Sequence, residues 1–202
     1  MKTVNRSYDS YAQARAAVEA IEKAGIPSSD VSLIANKHVS AEHAQIDPVA
    51  DTAAGAGIGG VLGGGAGLLA GLGLLAIPGL GPVVAVGWLA ALAVGAAAGV
   101  ATGGLVGALI GAGVDQDEAG VLSEAVRRGG TLVTVRVPAD EVGRIEGLLA
   151  IHRPTDIGAR AAAWRKEGWK TFDPDAPAYL PNETEIERMR RDWRDEGMGK
   201  QA

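Results

Sequence analysis

Cysteine is absent from the 202 residues, which excludes a disulfide framework, a thiolate nucleophile and a cysteine-based zinc site. Aromatic residues make up 4% of the chain, with a single Phe, so an aromatic-rich core is excluded as well. The strangest absence is local. From 52 to 114 the chain runs for 63 residues without one Asp, Glu, Lys, Arg or His, and this stretch holds 20 of the 30 glycines. With no Lys there, it contains no phosphate-binding P-loop. Gly55-Ala56-Gly57-Ile58-Gly59-Gly60 satisfies G-x-G-x-x-G formally, but no strand precedes it and the next carboxylate is Asp115, so it is a by-product of glycine density.

The charges that remain lie in the flanks. Residues 1–51 carry five Lys/Arg against seven Asp/Glu, and 115–202 carry 14 against 17. Neither flank clusters cations in the way that phosphate neutralisation requires, which argues against nucleic-acid binding. The N-terminal MKTVNRSYDS lacks an apolar core of signal-peptide length, so a cytoplasmic start is expected. His38, His43 and His152 have no ligand spacing, and no metal or cofactor is expected. No nucleophile has a base beside it, and Asp115, Asp117, Glu118, Asp140 and Glu141 sit where helices begin and read as caps; the chain is not expected to be an enzyme.

The flanks read as two halves of one α/β domain. Residues 3–8 form a short candidate strand, and Asp9 or Ser10 caps a helix with Ala14, Ala17, Val18 and Ile21 on one face. Gly25 and Pro27 stop it, and Val31, Leu33 and Ala35 then alternate as a strand with one face more buried. Beyond the uncharged stretch, Asp115 or Asp117 caps a helix to about Arg128, and 131–137 (TLVTVRV) is the best strand in the chain. Asp140 caps a further helix, and 156–161 is expected to be a last strand. The predicted fold class is α+β, a ferredoxin-like split domain, β-α-β then α-β-α-β, interrupted by an apolar helical hairpin. The expected division is 1–51 and 115–168 as the two halves, 52–114 as the hairpin, and 169–202 as a polar tail with a short charged helix.

The hairpin is predicted to turn at Pro78, Gly79, Gly81 and Pro82, leaving arms of about 25 and 32 residues, each long enough to cross a bilayer of about 30 Å. Glycines recur every four residues at Gly55, Gly59, Gly63, Gly67 and Gly71, and again at Gly95, Gly99, Gly103, Gly107 and Gly111. On helices this gives two side-chain-free faces, a glycine zipper for close helix packing. Two environments fit: a lipid bilayer, or the shared core of a soluble homo-oligomer. Trp88 suits either a membrane interface or simple packing.

The stretches SYDSYAQA, AGIPSSDVSLIA, AIPGLGPV, VRRGGTLVTV and DIGARAAAWRKEGW together resemble bacterial general stress proteins of the heat-induced YflT-like family, over about residues 1–170. The resemblance implies a non-enzymatic stress-response protein whose hairpin lies in or at the cytoplasmic membrane with the flanks in the cytoplasm, and it transfers no catalytic residue. The expected partners are a second copy of the chain and a lipid bilayer, with no nucleic acid and no known small molecule. The alternatives are a soluble assembly with a hairpin core, and a tethered α/β domain that binds a small ligand.

Overall fold

The computed structural model describes residues 1–36, 74–77, 81–89, 92, 104–176 and 179. Strand β1 (Lys2–Tyr8) leads into helix α1 (Tyr11–Lys23), whose first turn is closed by the Ser10 hydroxyl accepting from the Gln13 amide. A 3-10 turn (Ser28–Asp30) precedes β2 (Val31–Asn36). Strands β3 (Leu74–Ile77) and β4 (Gly81–Gly87) follow, then α2 (Leu105–Gly111) and α3 (Gln116–Arg127). The chain continues through β5 (Thr131–Val137), α4 (Val142–Ile151) and α5 (Ile157–Lys166).

The five strands form one antiparallel sheet in the order β1-β5-β2-β4-β3. Strand β5 slots between β1 and β2, so the two charged flanks of the sequence share one sheet. Val4, Leu33, Val133 and Val135 meet Ala17, Val18, Ile21, Ile145 and Leu149 on the face covered by α1 and α4. On the opposite face, Ile34 and Leu132 meet Leu105, Leu109, Leu122 and Val126 of α2 and α3. Because helices cover both faces, β2 is buried along its whole length, not on one face as its alternation suggested. Helix α5 packs outside α3, with Ala161 and Trp164 against Val121 and Ala125.

The predicted ferredoxin-like arrangement with a transmembrane helical hairpin is overturned at three places. First, 74–77 and 81–87 are strands, not arms of a helical hairpin. Val83, Val84 and Val86 carry β-branched side chains, which suit a pleated strand, and an apolar run this short gives no periodicity by which to choose. Gly81 and Pro82, expected in the turn of a helical hairpin, open β4 opposite Ile77 and Ala76. Pro82 lies one residue past the last β2 partner, Val83 opposite Asn36, so its missing N–H breaks no bond to β2. Pro78 and Gly79 fall outside the described residues.

Second, no helix among the described residues is long and apolar enough to cross a membrane. Gly107 and Gly111 belong to α2, whose seven residues span about 10 Å against about 30 Å of hydrocarbon. That helix buries Leu105, Ala108 and Leu109, whereas Gly111 is exposed and a Cβ there would meet nothing within 4 Å. Its packed face is therefore the leucine face, contrary to the glycine zipper expected there. Gly55, Gly59, Gly63, Gly67, Gly71, Gly95, Gly99 and Gly103 lie outside the described residues.

Third, the strand expected at 156–161 is the first half of α5. Asp156 caps it by accepting from the Ala159 amide, and its Ala-rich sequence favours a helix. What remains at the outer edge of β1, among the described residues, is the backbone bond from Thr155 N–H to the Ser7 carbonyl at 2.7 Å. A smaller correction concerns α4, which begins after Glu141 without any side-chain cap, so Asp140 does not play that part.

Candidate functional site

Helix α3 is where the chain concentrates charge inside the fold. Asp115 starts it, its carboxylate accepting from the Asp117 and Glu118 amides, and Ala119, Leu122 and Val126 then face the sheet. Glu124 is carried inward with them and is 1% exposed. A buried carboxylate costs several kcal/mol unless it is paired, and the sequence supplies partners three and four residues on, on the same side of the helix. Arg127 binds it bidentately, Nε to Oε2 at 2.8 Å and Nη2 to Oε1 at 2.6 Å, and Arg128 Nε reaches Oε1 at 2.6 Å. Hydrogen bonding to Glu124 raises the pKa of Arg127 above its ordinary value, which outweighs the opposing effect of burial.

The helix must end abruptly to hold this node beside the sheet. Gly129 takes a φ of 98°, and the amides of Gly129 and Gly130 donate back to the Val126 and Ala125 carbonyls, a Schellman closure. Gly130 has no room for a side chain: a Cβ would come within 2.9 Å of the Ala125 carbonyl oxygen and 3.2 Å of Ser7 Oγ. Asn36 Nδ2 donates to the Arg127 carbonyl at 3.0 Å, tying the end of β2 to the end of α3.

Aromatic rings complete the cluster. The Arg128 guanidinium lies 4.9 Å from the centroid of Trp164 on α5 and 5.0 Å from that of Tyr179, and Arg127 lies 5.3 Å from the Tyr179 ring. Such stacking attracts the cation to the ring face and shields it from water. Glu167 stands 3.5 Å from Arg128. Two guanidinium groups thus meet one deeply buried carboxylate, with a second carboxylate at the rim. The arrangement ties the end of α3 to α5 and to Tyr179.

The sequence marked none of these side chains as a site. The Glu124-Arg127-Arg128 spacing was visible, but Trp164 and Tyr179 come from 36 and 51 residues beyond Arg128, and only the fold brings them there. Two of the stretches that carry the family resemblance, VRRGG and DIGARAAAW, meet at this cluster. Trp88 takes part in another node: its Nε1 donates to the Asp30 carbonyl at 3.2 Å, and Arg136 stacks on its ring at 4.5 Å while binding Asp30 at 2.7 Å. This pins the end of β4 to the start of β2. His152 follows α4 as its C-cap, and His38 and His43 lie outside the described residues.

No family model, curated protein or solved structure matches this chain. The resemblance to heat-induced stress proteins therefore rests on the quoted motifs alone.

Proposed function

We propose that this chain is a non-enzymatic general stress-response protein that acts by self-association, with the α/β layers as a scaffold. The observation that carries the self-association is the asymmetry of the two sheet edges. Strand β1 exposes Lys2, bears Arg6 and is bridged by Thr155, features that discourage strand addition. Strand β3, drawn from the uncharged stretch, is Leu-Leu-Ala-Ile and pairs with β4 alone among the described residues. An apolar edge without charge or proline fits a second copy of the same strand.

Five acidic side chains that already have structural work support a non-enzymatic reading. Asp115 and Asp156 cap helices, Glu124 holds two arginines, Asp30 binds Arg136, and Asp9 binds Arg160 at 2.9 Å. The stress role comes from the motif resemblance. Light scattering of the full chain over a range of concentrations tests the assembly. The expected result is an oligomer that Leu75→Lys dissociates, since a charge on an edge strand opposes pairing. A wild-type chain that stays monomeric throughout would overturn this reading. Flotation with vesicles in the same preparation reports lipid association separately.

A further inference from the structure

After α5 the chain turns back along α3 and lays three aromatic residues on it. Trp169 packs edge-to-face on Trp164 with ring centroids 5.9 Å apart. Phe172 joins the apolar cluster under α3, its Cβ lying 3.9 Å from where a Gly120 Cβ would stand. Tyr179 covers the Arg127 and Arg128 guanidinium groups. From Gly120 to Arg128 these seats span about 12 Å of helix.

The hold is made by side chains. Among the described residues, the backbone-to-backbone hydrogen bond formed by 170–176 is internal, Ala176 N–H to the Asp173 carbonyl. Trp169, Phe172 and Tyr179 are each half-buried. At the junction Gly168 adopts a φ of 98°, and the amides of Gly168 and Trp169 donate to the Arg165 and Trp164 carbonyls, so α5 closes there and aims the following residues along α3. The chemistry of seat and segment is complementary. The seat offers a side-chain-free notch at Gly120 and two guanidinium groups against the single buried carboxylate of Glu124. The segment offers the rings of Phe172 and Tyr179 and the carboxylates of Asp173 and Asp175.

We propose that the stretch after α5 that carries Phe172 and Tyr179 is a displaceable strap, and that its seat on α3 accepts the same strap from a second copy of the chain. This rests on the self-association reading above. Every copy carries both halves, so exchange re-forms the same contacts and costs only the loss of the tethered copy's effective concentration. A seat held by backbone pairing would not exchange so cheaply.

The test uses the full chain and a fluorescein-labelled peptide of residues 168–180, read by anisotropy. In the wild type the tethered strap competes and capture is weak. In the full-length double variant Phe172→Ala/Tyr179→Ala the seat is vacated, and capture is expected to tighten at least tenfold. Adding Gly120→Leu, a good helix former that fills the Phe172 notch, is expected to weaken it again at least tenfold. Circular dichroism of each variant confirms that the fold persists. The proposal is overturned if the double variant captures the peptide no better than wild type, or if Gly120→Leu leaves capture unchanged. Light scattering separates the two ideas. A wild type that associates while no variant captures peptide ends the strap exchange and leaves assembly standing. Capture by a chain that stays monomeric upholds the seat and overturns the assembly on which exchange depends.

Discussion

On the α1 and α4 side of the sheet, valines and leucines of β1, β2 and β5 meet alanine, isoleucine and leucine, and the Tyr8 hydroxyl is satisfied by the Leu149 carbonyl at 3.0 Å. On the α2 and α3 side, Asn5, Thr134 and Ser32 stand opposite one another in register across three strands, in the middle of the sheet. Asn5 Oδ1, Thr134 Oγ1 and Ser123 Oγ of α3 are buried there without a hydrogen-bond partner among the described residues. One side is a core in the ordinary sense. The other spends part of its area on polar groups and a buried charge node, and it is also the side on which α5 and the strap are added. The contrast predicts that truncating the first side costs more stability than disturbing the polar groups of the second.

The sharpest way to break that contrast is truncation of the first side. Leu149→Ala removes a fully buried side chain beneath Tyr8 and should cost about 3 kcal/mol in urea unfolding. A loss below about 1 kcal/mol would show that this side is not the main source of stability.

Alkaline titration sharpens it next. Burial raises the pKa of Tyr8 from 10.0 to about 12, so the native state keeps a proton that the unfolded chain releases. The stabilisation is whole below pH 10 and is lost as the pH climbs to about 12, a drop on the order of 2 to 3 kcal/mol. Tyr8→Phe should lose about 1 kcal/mol at neutral pH, for the hydrogen bond to Leu149, and lack this alkaline drop. Identical pH profiles for the two proteins would rule out the assigned cause.

On the second side, Glu124→Gln should cost about 2 kcal/mol. Breaking a buried pair usually costs more, but the Arg127 and Arg128 side chains are 13% and 15% exposed and can turn outward. Chemical denaturation checks the value, and an unchanged midpoint would mean that the node contributes nothing. The smallest effect is expected at Thr134→Val. Removing a hydroxyl that has no partner among the described residues should leave stability unchanged or raise it by up to about 1 kcal/mol. A clear loss in thermal melting would mean that the hydroxyl is satisfied after all.

Parts of this fold were legible in the residues themselves. The helix capped by Ser10, with Ala14, Ala17, Val18 and Ile21 inward, carries its own start signal and period. So does 131–137, bounded by two glycines and Pro138. The strands at 74–87 were hidden because Gly, Ala, Leu and Val give a continuous apolar signal at either period, and the four-residue glycine spacing pulled the reading towards helices. Residues 156–161 were misread for a different reason. The ferredoxin-like template wanted a fourth strand beside β1, and that expectation overrode an aspartate cap followed by alanines. At the α3 node, the three- and four-residue spacing of Arg127 and Arg128 from Glu124 permits the ion pairs but does not single them out, and no local pattern reports that a tryptophan and a tyrosine from far along the chain will lie over them.

The position of β5 between β1 and β2 sets the order in which this protein can be completed on the ribosome. The first 36 residues emerge carrying two strands whose shared neighbour is still about 95 residues upstream of the exit. At synthesis rates of roughly 5–20 residues per second, that gap lasts about 5 to 20 s. Throughout it β1 and the edge of β2 that receives β5 wait for their partner, whereas the other edge of β2 can pair as soon as β4 is out. The final closure of the sheet comes as one late step, when 131–137 enters the space between β1 and β2.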